Sequence, residues 1–189
     1  MTGEKYPKRI FSSGGRPIAG PVIFTAKEQT TDAPDHQVAT YAFDKLTVQW
    51  EHRRFAGNNT DKGENVGCYF YGTKGTFHMG WQKGWTFYPT DARQPVISEP
   101  AQLHDPDSQN IRENFADFLA AIRSDGKLKP VSDIGEVHLA TNMALLGMIS
   151  LKLGKSLEWD GAKEQIVGDP AANKLLRREY RKGYEYPKA

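Results

Sequence analysis

The chain has 189 residues, enough for one domain with a sizeable core, and its formal net charge of +2 gives no reason to expect a nucleic-acid surface. Apolar content of 38% and aromatic content of 11% mark a folded protein, and 18 glycines with 11 prolines imply many turns. Cys68 is the single cysteine, so an internal disulfide and a cysteine-cluster metal site are excluded. No apolar run is expected to span a membrane and Met1–Arg9 is not a signal peptide, so a cytoplasmic protein is the default expectation.

The first half reads as strands. Lys8–Ser12 is the first, with Gly14-Gly15 as a bend that frees the chain from the sheet. Gly20–Pro34 has no period and carries prolines at both ends, which predicts an irregular surface excursion. His36–Phe43 and Leu46–Arg53 form a hairpin about Asp44-Lys45. Leu46, Val48 and Trp50 share one face of its second strand, while Thr47, Gln49, Glu51 and Arg53 share the other. That alternation predicts a sheet covered on one side only. Phe55–Gly63 is a polar loop, and Val66–Tyr71 with Thr76–Met79 form a second hairpin, followed by a strand at Gly84–Tyr88. The connecting Gly72-Thr73-Lys74-Gly75 is a tight turn and not a phosphate loop, which needs a longer glycine spacing and a following helix.

The second half is helical. Ile111, Phe115, Phe118 and Ile122 give Ile111–Arg123 one apolar face, with Ser108 or Asn110 as the cap and Gly126 as the stop. A longer helix starts at Asp133, with Glu136 three residues on, and runs to Gly154. It is apolar on nearly every side, which predicts a central buried helix; the two helices together are expected to cover the sheet. Asp169-Pro170 opens a short third helix, and Arg177–Ala189 is a basic, tyrosine-rich tail. The expected fold class is therefore α+β, an open, mostly antiparallel sheet with two main helices on one face. The expected organisation is a single domain over 1–189: mainly strands in 6–104, two helices in 108–154, then strand, short helix and tail in 155–189.

Several stretches taken in order, YPKRIFSSGGR, PDHQVATYAFDKLTVQWEHRR, VGCYFYGTKGTF, NFADFLAAIRSDGKLKPVSDIGEVHLATNMALLGMISLKLGKSLEWD and VGDPAANKLLRREYR, carry a resemblance. The chain resembles the C-terminal domain of the glucose–fructose oxidoreductase, inositol dehydrogenase and MocA family of NAD(P)-dependent oxidoreductases, in its bacterial branch. Only Pro17–Ala33 departs from the pattern. The resemblance implies an open sheet that shapes a sugar-like substrate pocket and supports a homodimer or higher oligomer. It also implies hydride transfer by a complete member, with NAD or NADP held by a Rossmann domain in cis or in trans.

This chain contains no G-x-G-x-x-G turn, so no cofactor is expected in it. Glu4-Lys5 echoes the family's catalytic Glu-Lys-Pro, but Tyr6 follows, and the family's aspartate-and-histidine helix would precede Lys8–Ser12. No catalytic residue and no metal ligand set is assigned; His36, His78 and His104 show no ligand spacing.

The candidate substrate-binding residues are Arg16, Glu51, His52, Arg53 and Arg54. Two readings stay open. These side chains can hydrogen-bond a polyhydroxylated substrate. Alternatively, Glu51 and Arg53 form cross-strand pairs while His52 is a satisfied residue at the core edge. His138, with Asn142 four residues on, is either a substrate contact or a structural histidine. Trp81 and Trp85 form either a stacking platform or the cover of a sheet edge or subunit interface.

Three functions follow. One is a substrate-side and oligomerisation domain of an oxidoreductase, not expected to catalyse alone. Another is a stand-alone binding or scaffold module. A nucleic-acid protein using Lys174, Arg177, Arg178, Arg181 and Lys182 is disfavoured by the near-neutral charge and by Glu179 and Glu185.

Overall fold

The computed structural model describes residues 2–56, 64–80, 83–102 and 111–185. Its elements are β1 (Arg9–Gly15), β2 (His36–Ala42), β3 (Thr47–Arg53), β4 (Gly67–Gly72), β5 (Gly75–Gly80), β6 (Trp85–Pro89), β7 (Ile97–Glu99), α1 (Ile111–Arg123), α2 (Ile134–Leu153), β8 (Leu157–Asp160), β9 (Gln165–Ile166) and α3 (Pro170–Lys174). They fall into two compact units, one of Met1–Phe55 with Asp133–Ala189 and one of Ala56–Ser132. The fold is α+β with open antiparallel sheets. Its strands are divided between two sheets, five in the first unit and four in the second.

In the first unit the strand order is β3-β2-β1-β8-β9, and every pairing is antiparallel. The register places Ile10 opposite Tyr41 and Leu157, Ser12 opposite Ala39, and Ala39 opposite Trp50. With a period of two, this aligns Ile10, Ala39, Tyr41, Leu157, Trp159 and Ile166 on one face. Leu146 and Ile149 of α2 and Ala172 of α3 complete that buried core. Gly14-Gly15 does not release the chain as expected. Both residues stay in β1, paired with Gln37 and His36, and a Cβ on Gly14 would fall on the His36 carbonyl oxygen. Glycine here serves close approach and not a turn.

Helix α2 has the predicted limits. The Asp133 carboxylate accepts from Gly135 N at 3.0 Å, and Gly154 closes the helix at φ 62°. At 20 residues and a mean hydropathy of 1.3 it is, contrary to expectation, long and apolar enough to cross a membrane by length and composition. Its burial is uneven. Leu146, Gly147, Ile149 and Ser150 are buried, whereas Ile134, Val137 and Leu145 nearer the N-terminus are exposed. All-round apolarity therefore does not mean burial on all sides here.

The seam between α2 and the sheet has two parts. At Gly147 the helix comes so close that an added Cβ would lie 2.6 Å from Tyr41 Oη and 3.4 Å from both Ala39 Cβ and Gln37 Nε2. Tyr41 Oη itself donates to Met143 O at 2.9 Å. The second part is polar. Strand β8 pairs β1 at Arg9 and Ile10 and reaches no further. The buried Ser12 N–H finds its acceptor instead in Ser150 Oγ at 3.0 Å, and Ser150 Oγ donates onward to Lys155 O at 2.7 Å. Gln37 Nε2 donates to Ser12 Oγ at 2.8 Å, so the row is closed.

The second unit is a meander, β4-β5-β6-β7, with Thr73 and Lys74 as the two-residue turn between its first strands. Phe70, Phe77 and Trp85 lie in a chain of ring contacts, 5.8 and 5.4 Å between centroids. Helix α1 belongs to this unit and buries none of its side chains. The covering of the five-stranded sheet thus falls to α2, with α3 at its edge. The proposed α1 caps, Ser108 and Asn110, lie outside the described residues.

Two substitutions test the seam. Ser150→Ala leaves the buried Ser12 N–H without an acceptor and should cost about 1–3 kcal/mol. Gly147→Ala should also destabilise, by about 1–2 kcal/mol, although alanine normally favours a helix interior by about 1 kcal/mol over glycine. Urea unfolding of both variants reads the effect; a more stable Gly147→Ala would contradict the close approach.

Candidate functional site

The cluster at the end of β3 does not converge. Strand alternation sends Glu51 and Arg53 to the sheet face that no helix of the unit covers, where they pair with each other at 2.5 Å. His52 goes to the opposite face and accepts from Trp50 Nε1 at 3.3 Å, next to an indole that is 58% exposed. Arg54 follows the strand and lies 4.0 Å from Asp35 Oδ1. Arg16 does not reach a neighbour in this row. Its Nε donates to Gly20 O at 2.7 Å, and Nη1 donates to Ala33 O at 2.7 Å and to Thr31 O. Arg16 therefore ties the two ends of the excursion together, and it lines a cleft of about 570 Å³ with Gly14, Gly15, Met148 and the ion pair Lys152–Asp32.

His138 is exposed on α2 and not buried in it. Its Nε2 bonds Glu164 Oε1, and Asn142 Nδ2 lies 3.0 Å from the same nitrogen. The i, i+4 spacing of His138 and Asn142 was readable from the sequence; Glu164 was not, because it arrives from the β8–β9 turn 26 residues on. Trp85 packs on Phe77 within its own sheet. Trp81 and His104 lie outside the described residues. His78 is buried beneath Tyr69, 4.6 Å between ring centres, and Arg181 in the tail stacks on Tyr184 at 4.5 Å.

The N-termini of α2 and α3 do not suit a dinucleotide pyrophosphate. Pyrophosphate binding needs a helix N-terminus that opens directly from a strand and is free of negative charge. Here α2 and α3 are capped by the carboxylates of Asp133 and Asp169, which accept from Gly135 N and Ala172 N and set negative charge where an anion would sit. Glu4 also has a local task. Its two oxygens accept from Asp44 N at 2.8 Å and Lys45 N at 3.2 Å, fixing the β2–β3 turn.

The charged hub of this unit is Asp35, unrecognised in the sequence although its place after Pro34 at a strand start is typical of turn-forming aspartate. Its side chain is 3% exposed. Oδ2 accepts from Ala19 N at 2.7 Å and Ile18 N at 2.8 Å, and the Asp35 N–H donates to Gly15 O at 2.8 Å. The Ala19 N–H bond, then that from Ile18 and the charges of Arg54 and Arg16, hold the carboxyl below the usual carboxylate range. A lowered folded value stabilises the native state above the unfolded value, about 3.9, and the effect is lost as pH falls through the folded value. Asp35→Ala should therefore destabilise the chain at pH 7, and the gap to the parent should close progressively below about pH 4. A gap independent of pH in thermal unfolding would refute the ionised clasp.

Residues 24–186 match the family model of the oxidoreductase family, C-terminal alpha/beta domain. Among solved structures, a super-repressor mutant of Gal80p from Saccharomyces cerevisiae superposes with a TM-score of 0.55 at 10% identity, over 93% of this chain and 46% of that one. The yvaA protein of Bacillus subtilis, an oxidoreductase by its name, gives a TM-score of 0.51 at 12% identity, over 82% of this chain and 46% of that one. At such identities these likenesses show the fold. This chain spans less than half the length of either protein. No curated protein matches it. By the match over 24–186, the chain belongs to this oxidoreductase family and represents its C-terminal alpha/beta domain.

Proposed function

We propose that this chain is the substrate-side and oligomerisation domain of an NAD(P)-dependent, cytoplasmic oxidoreductase acting on a sugar- or polyol-type substrate, and that it does not transfer hydride alone. The observation that carries the reading is the one-sided sheet of the first unit. Helix α2 covers the face of Ile10, Ala39 and Tyr41, whereas Phe11, Thr47, Gln49, Glu51 and Arg53 on the other face stay exposed. Such a face suits a second copy of the chain, because a two-fold dimer buries the same patch twice. The nicotinamide supplies hydride chemistry when a complete family member holds it; a Rossmann domain in cis or in trans is the partner this division of labour requires. Arg16, Glu51, His52, Arg53 and Arg54 serve this reading as structural ties and face residues, with substrate contact left to groups that the partner domain brings together.

A second reading is a stand-alone binding or scaffold module. The fold likeness to Gal80p favours it, since that structure is named for repression and not for catalysis.

Two measurements test the first reading. In sedimentation velocity the chain should run as a dimer or larger, and Phe11→Asp, which places a charge in the middle of the bare face, should run as a monomer at the same concentration. A parent chain that is monomeric at high concentration would remove the oligomerisation role. NADH and NADPH added to the chain should show no saturable change in cofactor fluorescence; saturable binding would overturn the division of labour.

A further inference from the structure

The cleft beside Arg16 contains a charge that no carboxylate answers. A guanidinium carries five N–H donors. In Arg16 three of them go to neutral carbonyls, Nε to Gly20 O and Nη1 to Thr31 O and Ala33 O. The other two are on Nη2, which is buried and has no hydrogen-bond partner. Asp32 and Asp35 both feel the Arg16 charge, yet each is committed elsewhere. Asp32 Oδ2 is taken by Lys152 Nζ at 2.6 Å, and Asp35 Oδ2 by the Ile18 and Ala19 N–H groups. Buried donors are almost always paired, and charged ones cost most when they are not.

The walls narrow the choice of acceptor. The cleft measures about 570 Å³, with Pro21, Pro34, Met148 and Leu151 as apolar lining and Arg16 as a cationic end. That combination suits an amphiphile with an anionic head, and a carboxylate is the anion that guanidinium N–H groups fit best. A dianion such as phosphate would carry more charge than one uncommitted guanidinium offsets, since Lys152 already serves Asp32. Nη2 is closed to water, so an oxygen reaches it only as one wall yields. The wall at Pro21 is the one free to do so. Hydrogen bonds of residues 21–30 stay within that segment, Ile23 with Thr30 and Thr25 with Glu28, while the clasp fastens only its ends.

We infer that this cleft binds a small monocarboxylate with an apolar body, its carboxylate bonded to Arg16 Nη2 and its hydrocarbon part against Pro21, Met148 and Leu151. This ligand class goes beyond the function proposed above and does not depend on it.

The test is a calorimetric titration of the full chain with benzoate. Saturable binding is expected, and none with benzyl alcohol, which keeps the ring and lacks the charge. Phosphate at an equal concentration should not displace benzoate. Arg16→Lys, which keeps the charge and removes Nη2, should weaken binding about tenfold or more. Because that variant also loses ties of the excursion, Leu151→Glu gives a second measurement. It leaves the Arg16 side chain in place and sets a carboxylate in the wall, which either repels benzoate or takes its position, and should weaken binding by a similar factor. No saturable binding up to the solubility limit, equal binding of benzyl alcohol, displacement by equimolar phosphate, or benzoate affinity unchanged in Leu151→Glu would each overturn the site.

Discussion

The close approach of α2 to β1 and β2 is the constraint on which the first unit depends. A helix can lie this near a sheet only where a side chain is missing, and Gly147 supplies the gap above Tyr41, Ala39 and Gln37. Nearness brings an obligation, because backbone groups beneath the helix lose access to water. Ser150 meets it by accepting the Ser12 N–H at the point where β8 has ended. Close packing and polar closure are therefore one device: without the glycine the serine would stand too far off, and without the serine the glycine would seal in an orphan donor.

From that seam follows the asymmetry that gives the domain its meaning. One sheet face is consumed by α2, and the other is left with Phe11 between rows of threonine, glutamine and charged residues. Among the described residues the strands pair antiparallel, and the N-termini of α2 and α3 carry aspartates that disfavour a pyrophosphate there. This asymmetry is what the proposed division of labour rests on, holding and assembling here and cofactor chemistry in a partner domain. Membership of the oxidoreductase family as a C-terminal domain accords with that division.

Much of this was legible from residue order. Alternation in Leu46–Arg53 and capping signals at Asp133 and Gly154 gave β3 and α2 to within a residue, and Asp169-Pro170 gave the start of α3, because these are local effects written in short spacings. What escaped were long-range demands. Gly14 looked like a bend because its reason, the His36 carbonyl, lies 22 residues away in the chain and adjacent in space. Alternation already set Glu51 and Arg53 apart from His52, but not that these two would pair with each other along one strand where cross-strand partners were the expectation. Asp35 and Glu164 went unnoticed as partners for a similar reason: each acquires its role from a group that the fold, and not the sequence, brings to it.

The clasp at the root of the excursion has a wider consequence. Asp35 bonds back to Gly15, and Arg16 grips carbonyls at both Gly20 and Ala33, so the segment's two ends are fastened to each other before its middle is specified. Closure entropy rises only slowly with loop length, about 0.6 kcal/mol for each doubling. Residues between Pro21 and Thr30 are thereby uncoupled from the β1–β2 register, and the chain can lengthen, shorten or accept foreign sequence there while the strands on either side keep their pairing. The outline of the chain at this corner is thus set apart from its core.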